Sequence, residues 1–459
     1  MPDPSFAPLP PRKFGYWTGT FVVVASMIGA GILTTSGYTL QATGNPTALL
    51  ALWVVGGLMA LAGAFTIAEL STALPHAGGD YVFVREGFGR GAGFVAGWAT
   101  FVLGFCGPTA VVAHIAVSYL SAPFAGYFEG GLPWWVVPAG ASVLIAVVTA
   151  AHCLGQSESG RFQVAITSVK FVLLVGLGVG GVLFGKGDWA HLTAGHWPTA
   201  SQWPALATGL IYVSYAYSGW NGAAYLAGEI RDPARLLPRT LLFGTLTVVA
   251  LYLVVNLAYV FALDPADMTA RSFDDPAVQK VAEAAVARLF GRETANVFGV
   301  LIGLSLVASA SAYVLTGPRV TFAMARDGDF PAFAGRLHPR RGVPVWATLA
   351  QGGLAAAFVW VPSFEDLLNY VAVGLAAVSG LVVASVFPLR RKRTPGTFRL
   401  PLYPLPPLLY LALVAWSIIA QVLDPGKAVF ALLSLGTIAA GIPLAGLFRR
   451  PSQGSRTPA

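Results

Sequence analysis

Between Lys13 and Glu69 the chain carries no acidic or basic residue. A charge-free run of that length has no counterpart in a water-soluble core, and it holds two bilayer crossings at about 20 residues each. Comparable stretches run over 91–128, 189–228, 240–263, 294–318, 342–364, 367–389, 400–423 and 428–448. Composition agrees: 56% of residues are hydrophobic and 10% are charged, against about 25% charged in a soluble domain. Cutting these stretches at Pro, Gly and Asn predicts an all-α integral membrane protein with about twelve transmembrane helices. They fall at 16–42, 46–72, 91–121, 133–153, 160–185, 203–228, 239–263, 294–324, 343–361, 365–389, 402–422 and 428–448.

Charge then sets orientation. With the N-terminus in the cytoplasm, alternation through twelve spans places 21 of the 28 Lys and Arg inside, six outside, and Lys170 within the membrane. This bias satisfies the positive-inside rule and puts both termini in the cytoplasm of a multi-pass cell (inner) membrane protein. It explains the net charge of +8 through membrane lipid, with no nucleic acid. The run Arg390-Arg391-Lys392-Arg393 reads as a topology determinant beside headgroups. The tails, 1–15 and 449–459, read as disordered, and Arg12 and Lys13 precede a retained first span rather than a cleaved signal. The outer loop 264–293 contains an Ala-rich stretch, Val278 to Leu289, readable as a short surface helix. Cys106 and Cys153 fall inside spans with no CxxC or CxxH spacing, so neither a disulfide framework, a metal site nor a cofactor is expected.

Irregular backbone survives at membrane depth only when it is buried in protein or lines a cavity. The first span reads Ser26-Met27-Ile28-Gly29-Ala30-Gly31-Ile32, and the sixth reads Tyr215-Ala216-Tyr217-Ser218-Gly219-Trp220-Asn221-Gly222. Interruptions five spans apart are expected of a LeuT-like 5+5 inverted repeat, here 16–185 and 203–389 in a transport core of 16–389. Two additional helices follow at 402–448. An opening at Gly29–Gly31 frees amides that favour a carboxylate. Carbonyls from Ser26 to Ile28, and from Tyr215 through Ala216 and Tyr217 to Ser218, suit an ammonium. Together they fit a zwitterionic α-amino acid. Close helix packing alone would also account for one glycine pair; two breaks at corresponding positions favour the binding site.

At these residues the chain resembles the amino acid–polyamine–organocation (APC) superfamily, near the bacterial relatives of L-type amino acid transporters. The resemblance rests on Met27 to Ile32, on Glu69-Leu70-Ser71 through Pro75 and Gly78-Gly79-Asp80-Tyr81 with Phe88-Gly89, and on Tyr215 to Glu229 with Asp232-Pro233. Gly317 to Gly328 and Arg399 to Pro404 also match. Ala30 stands where the family often has Ser, and Tyr215 where it often has Phe. The resemblance implies that the substrate backbone lies against Ile28, Gly29, Ala30, Gly31 and Ile32, with Tyr215 closing over it. Ser218, Gly219, Trp220 and Asn221 shape the pocket and brace the break, and Phe105, Cys106 and Ala110 form a wall. Packing between helices is the alternative role for Tyr215 and Trp220.

Lys170 sits well inside an apolar span, where an ionisable side chain usually faces the bundle interior. Snorkelling past Arg161 is the ordinary alternative. By the resemblance, its ammonium lies near the opened first helix and takes the place of a coupling cation, either as a permanent charge or as a proton carrier. Ser305, Ser309 and Ser311 are expected to bond back to their own helix or to support the first span. His114 reads as a hydrogen-bonded interhelical residue rather than a ligand.

The resulting expectation is a non-enzymatic secondary transporter of neutral amino acids, sodium-independent, by exchange or proton-linked symport. An integral-membrane enzyme acting on lipid would need clustered His or acidic residues. The six histidines are scattered, and only His191 and His196 lie close together. A channel would need a pore loop, which the sequence does not offer. Whether a partner subunit exists is left open.

Overall fold

The computed structural model describes residues 15–74, 79–128, 131–155, 160–194, 199, 202–224, 230–392 and 396–448. The tails (Gly15 apart), Pro75 to Gly78, His196, Glu229 and Arg393 lie outside the described residues. All twelve apolar segments carry helix, with no β-strand among the described residues, because hydrocarbon leaves backbone groups only internal partners. The elements begin with α1 (Tyr16–Met27), α2 (Gly31–Thr43), α3 (Pro46–Ala73) and the short α4 (Gly79–Phe88). There follow α5 (Arg90–Phe124), α6 (Val136–Cys153) and α7 (Val164–Phe184). Next come α8 (Trp203–Tyr217), α9 (Pro233–Ala262), α10 (Val281–Phe290) and α11 (Arg292–Arg326). The chain closes with α12 (Val345–Phe358), α13 (Phe364–Lys392), α14 (Leu405–Leu423) and α15 (Ala428–Phe448).

Nine of the described helices are individually long and apolar enough to cross a bilayer, and α1 with α2, bent by 41°, makes a tenth. The other two expected spans are shorter helices: α8 has 15 residues and α12 has 14. Twelve crossings is therefore more than helix length alone supports.

Local chemistry sets several ends. The Asn45 side chain accepts from the Ala48 amide at 2.7 Å and Pro46 follows at the first helical position, so α3 starts there. Ser363 caps α13 through the Asp366 amide at 3.1 Å. Burial sorts the bundle: 83% of the most apolar stretch of α5 is buried, against 22% for α15, so α5 is central and α15 faces lipid. Within α5 the ladder loosens to π-helix over Thr100–Cys106, a geometry frequent at functional sites.

One end of the bundle is tied by charge. Glu69 receives Arg390 Nε and Nη2, each at 2.5 Å, and also the Leu400 amide at 2.7 Å, which joins α3 to α13. The Arg390 guanidinium lies 3.6 Å from the Tyr403 ring, and Lys392 donates to the Gly87 carbonyl at 2.7 Å. Part of the 390–393 run is thus bonded within the protein rather than turned to headgroups. From α4, the Tyr81 hydroxyl reaches Asp329 at 2.8 Å and Asp327 at 3.0 Å. Arg85 pairs with Asp327, and Arg90 meets Asp329 at 2.7 Å. Burial, with the Asp329 bond, pushes the Tyr81 phenol well above its ordinary pKa and keeps it a donor.

The opposite end is tied by aromatic rings and a loop. Tyr38 stacks on Phe273 at 5.8 Å and lies 5.9 Å from Tyr212. A side chain at Gly37 would strike the Val278 carbonyl. The Ala-rich stretch forms α10, whose Val281, Ala285 and Leu289 are buried. Its inner face packs on the bundle while Arg288 and Phe290 on the outer side stay exposed.

Candidate functional site

The first span breaks where its glycines stand. The last helical residue of α1 is Met27, Ile28 has left helical geometry with ψ 89°, and α2 begins at Gly31. The sixth span breaks too: α8 ends at Tyr217, and Ser218 turns out with ψ 156°. Gly219 follows at φ +97°, a conformation that favours glycine. Among the described residues, the amides of Gly29, Ala30, Gly31 and Ile32 donate to no backbone carbonyl. They form the vacant N-terminus of a half-helix, where an anion is stabilised.

The two breaks meet. A Cβ on Gly219 would lie 2.4 Å from the Ser26 carbonyl oxygen, and one on Gly222 would lie 2.5 Å from Ser26 Oγ. A Cβ on Gly31 would lie 2.4 Å from Ala216 Cα. The space at Gly31 is therefore taken by α8, and its role is to let the half-helices touch. Gly29 differs: a Cβ there meets nothing within 4 Å. The opening lies at Gly29.

Two tyrosines of α9 brace the break from behind. The Tyr252 hydroxyl donates to the Met27 carbonyl at 2.8 Å and the Tyr259 hydroxyl to the Ile32 carbonyl at 2.9 Å. Between them Asn256 accepts from Ser36 at 2.6 Å. Of the carbonyls expected to be free from Ser26 to Ile28, Met27 already holds a donor and Ser26 abuts Gly219. These tyrosines were not among the sequence candidates, although spacings of four and three place 252, 256 and 259 on one helix face. Three polar residues aligned inside an apolar span were the available signal. Tyr252→Phe is expected to cost about 1 kcal/mol of stability for the lost hydrogen bond. Substrate half-saturation should rise with it, as a thermal melt and uptake kinetics would show.

The remaining candidates divide. Ile28, Ala30, Ile32, Tyr215 and Ala216 are buried around the junction. Phe105, on the π segment, faces Tyr313 of α11 edge-on at 6.4 Å. Cys106 and Ala110 are fully buried in α5. Trp220 packs on α3 and α14: a Cβ on Gly63 of α3 would lie 2.7 Å from its ring, and the Tyr410 ring is 6.1 Å distant. Asn221 donates to Asp80 at 3.0 Å, so it ties the sixth-span break to α4. Both act as braces. Lys170 is buried and donates to Ser309 of α11, and among the described residues it has no acidic partner. It does not snorkel. Ser305 bonds back to the Ile302 carbonyl at 2.7 Å, while Ser311 meets His152 Nε2 at 2.8 Å. His114 lies tilted against the Phe364 ring at 4.9 Å, and among the described residues it forms no side-chain hydrogen bond, contrary to the expectation. Among the described residues no His, Cys, Asp or Glu cluster suits a metal ion.

Two half-helices meeting inside a helical membrane bundle define a small-solute carrier rather than a scaffold. The family model for amino acid permeases matches residues 14–440, and the chain belongs to that family, within the APC superfamily. It is 27% identical over 451 residues to Asc-type amino acid transporter 1 of Mus musculus, covering 94% of this chain and 80% of that one. It is 28% identical over 409 residues to the serine/threonine exchanger SteT of Bacillus subtilis (strain 168), covering 87% and 89%. A third relative is the large neutral amino acids transporter small subunit 2 of Rattus norvegicus, 27% identical over 444 residues, covering 94% and 80%. These relatives are transporters, not enzymes.

Proposed function

We propose that the chain exchanges neutral amino acids across the cell membrane, independently of sodium, by alternating access around the Gly29 opening. The observation that carries this is the meeting of the two breaks, with unpaired amides of Gly29 to Ile32 beside open space. Those amides and the α2 dipole receive the substrate carboxylate. The Ile28 carbonyl and the opened stretch after Tyr217 receive the ammonium. Tyr215 closes over the pair, and Phe105 forms a wall. The α-amino group thus binds to backbone dipoles, which makes backbone recognition indifferent to the side chain. Neutral side chains fit because no carboxylate or second cation belongs to the assigned set.

In this reading the core, 16–389, is a LeuT-like pair of inverted repeats, 16–185 and 203–389, with 402–448 as two further helices. Both termini are cytoplasmic. The Tyr81–Asp327–Asp329 cluster is then the cytoplasmic closure and the Tyr38–Phe273 stack the external one, each opening in turn. Lys170 supplies a fixed positive charge through Ser309, in place of a coupling cation.

Counterflow tests this. Purified protein in liposomes preloaded with unlabelled L-serine, L-alanine or L-leucine should accumulate the labelled L-isomer over the D-isomer, equally in sodium and in choline buffer. Uptake no greater than in empty vesicles across a panel of neutral amino acids would remove the proposal. Substrate turnover without trapping would point to an enzyme, and conductance without counterflow to a channel.

A further inference from the structure

Away from the helix breaks, the flank of α9 holds two adjoining cavities that no part of the transport cycle uses. One, about 490 Å³, lies beside the start of α9 and is lined by Asp232, Arg235, Arg239 and Thr397 among others. The other, about 650 Å³, lies deeper along the same helix between α1, α3 and α9. Its walls include Tyr16, Leu61, Phe65, Phe243 and Leu246. Arg239 and Leu242 line both, so the chambers adjoin at those two side chains.

The stripe that joins them is graded. Residues 235, 239, 242 and 246 follow one another at spacings of four, three and four, which aligns them on one helix face. Its first two members are arginines and its last two leucines. From Arg235 to Leu246 the face runs roughly 16 Å along the axis, from the edge of the bilayer into its hydrocarbon. Arg235, Arg239 and Leu246 are exposed. Among the described residues neither arginine has an ion-pair or side-chain hydrogen-bond partner. Among the described residues Asp232 is the one acidic residue on the walls of either chamber, so two guanidiniums face one carboxylate there.

We propose that this groove is a binding site for one anionic phospholipid, its phosphate held between Arg235 and Arg239 and an acyl chain laid over Leu242 into the chamber of Leu61, Phe65 and Phe243. A free anion would fill only the polar chamber and a neutral lipid only the apolar one. The two chambers side by side, with unpaired cations at the membrane edge, select a lipid with both parts. The site does not depend on the transport reading, since it borders no residue of the Gly29 opening.

The test uses the full-length chain in detergent, with phosphatidylglycerol or phosphatidylcholine of identical acyl chains added, and counts retained lipids by native mass spectrometry. The wild type should retain one phosphatidylglycerol in preference to phosphatidylcholine. Arg235→Ala/Arg239→Ala should lower that retention by about fivefold for each arginine removed. Leu61→Trp, which fills the apolar chamber, should lower it as well. Arg336→Ala/Arg340→Ala, an equal loss of charge elsewhere, should leave it unchanged. Should the alanine pair fail to fold, Arg235→Gln/Arg239→Gln gives the same reading. Equal retention of the two lipids, or unchanged retention in either groove variant, overturns the proposal. So does displacement of phosphatidylglycerol by millimolar inorganic phosphate, which would mark a simple anion site.

Discussion

Gly219→Ala is expected to lower exchange at least a hundredfold, while the neighbouring substitution Gly29→Ala leaves the fold intact. Gly219 sits at φ +97°, where a side chain costs about 1–3 kcal/mol in strain. Its Cβ would also lie 2.4 Å from the Ser26 carbonyl oxygen and 2.7 Å from the carbonyl carbon. Relieving that overlap pushes the sixth-span break away from the first, at a further cost of about 1–3 kcal/mol. A hundredfold loss corresponds to about 2.7 kcal/mol, within the sum of those two effects. The thermal midpoint should fall with the rate. At Gly29 the added methyl meets no protein atom within 4 Å, so the midpoint should hold. Half-saturation should rise, because the methyl occupies the room that the proposed site gives the carboxylate. Initial counterflow rates and melting curves for the two variants separate a packing glycine from a binding one. Equal behaviour of the pair would refute the assignment of the opening.

The second large effect belongs to Lys170. Its ammonium is buried in α7 with the Ser309 hydroxyl as its hydrogen-bond acceptor. Ser309→Ala leaves that charge without the acceptor, at an expected cost of about 1.5–3 kcal/mol. Lys170→Met does the reverse: an apolar side chain of similar length replaces a buried cation, which is commonly neutral or stabilising. Yet exchange by Lys170→Met should fall at least tenfold, with or without an imposed pH gradient, if the fixed charge is needed. A stability gain accompanied by a loss of transport identifies a functional lysine. Full transport by Lys170→Met would assign it no part in the cycle, and a loss confined to gradient-driven uptake would make it a proton carrier.

The elements and breaks were legible because their causes are local. Pro46 after Asn45 starts α3 where the expected span begins, and Gly29–Gly31 and Ser218–Gly222 interrupt helices as their composition indicates. The junction of the two breaks was legible in outline only. The backbone of Ile28 to Ile32 and Tyr215 to Ser218 lies at the junction. But Gly31 serves contact with Ala216, Trp220 turns toward Gly63, and the Met27 carbonyl is already bonded to Tyr252. None of these follows from spacing within a span, since each depends on which helix lies opposite.

By itself the chain's order of apolar and polar residues determined that it is a helical membrane protein and where two of its helices must open. A bilayer supplies no water to bond the backbone, so apolar length and glycine placement decide those features residue by residue. Tertiary structure alone decided which glycine is space and which is contact, and which hydroxyls of α9 hold the opened carbonyls. Tyr252 and Met27, or Lys170 and Ser309, are far apart along the chain, and only packing of one helix against another brings such groups within bonding distance.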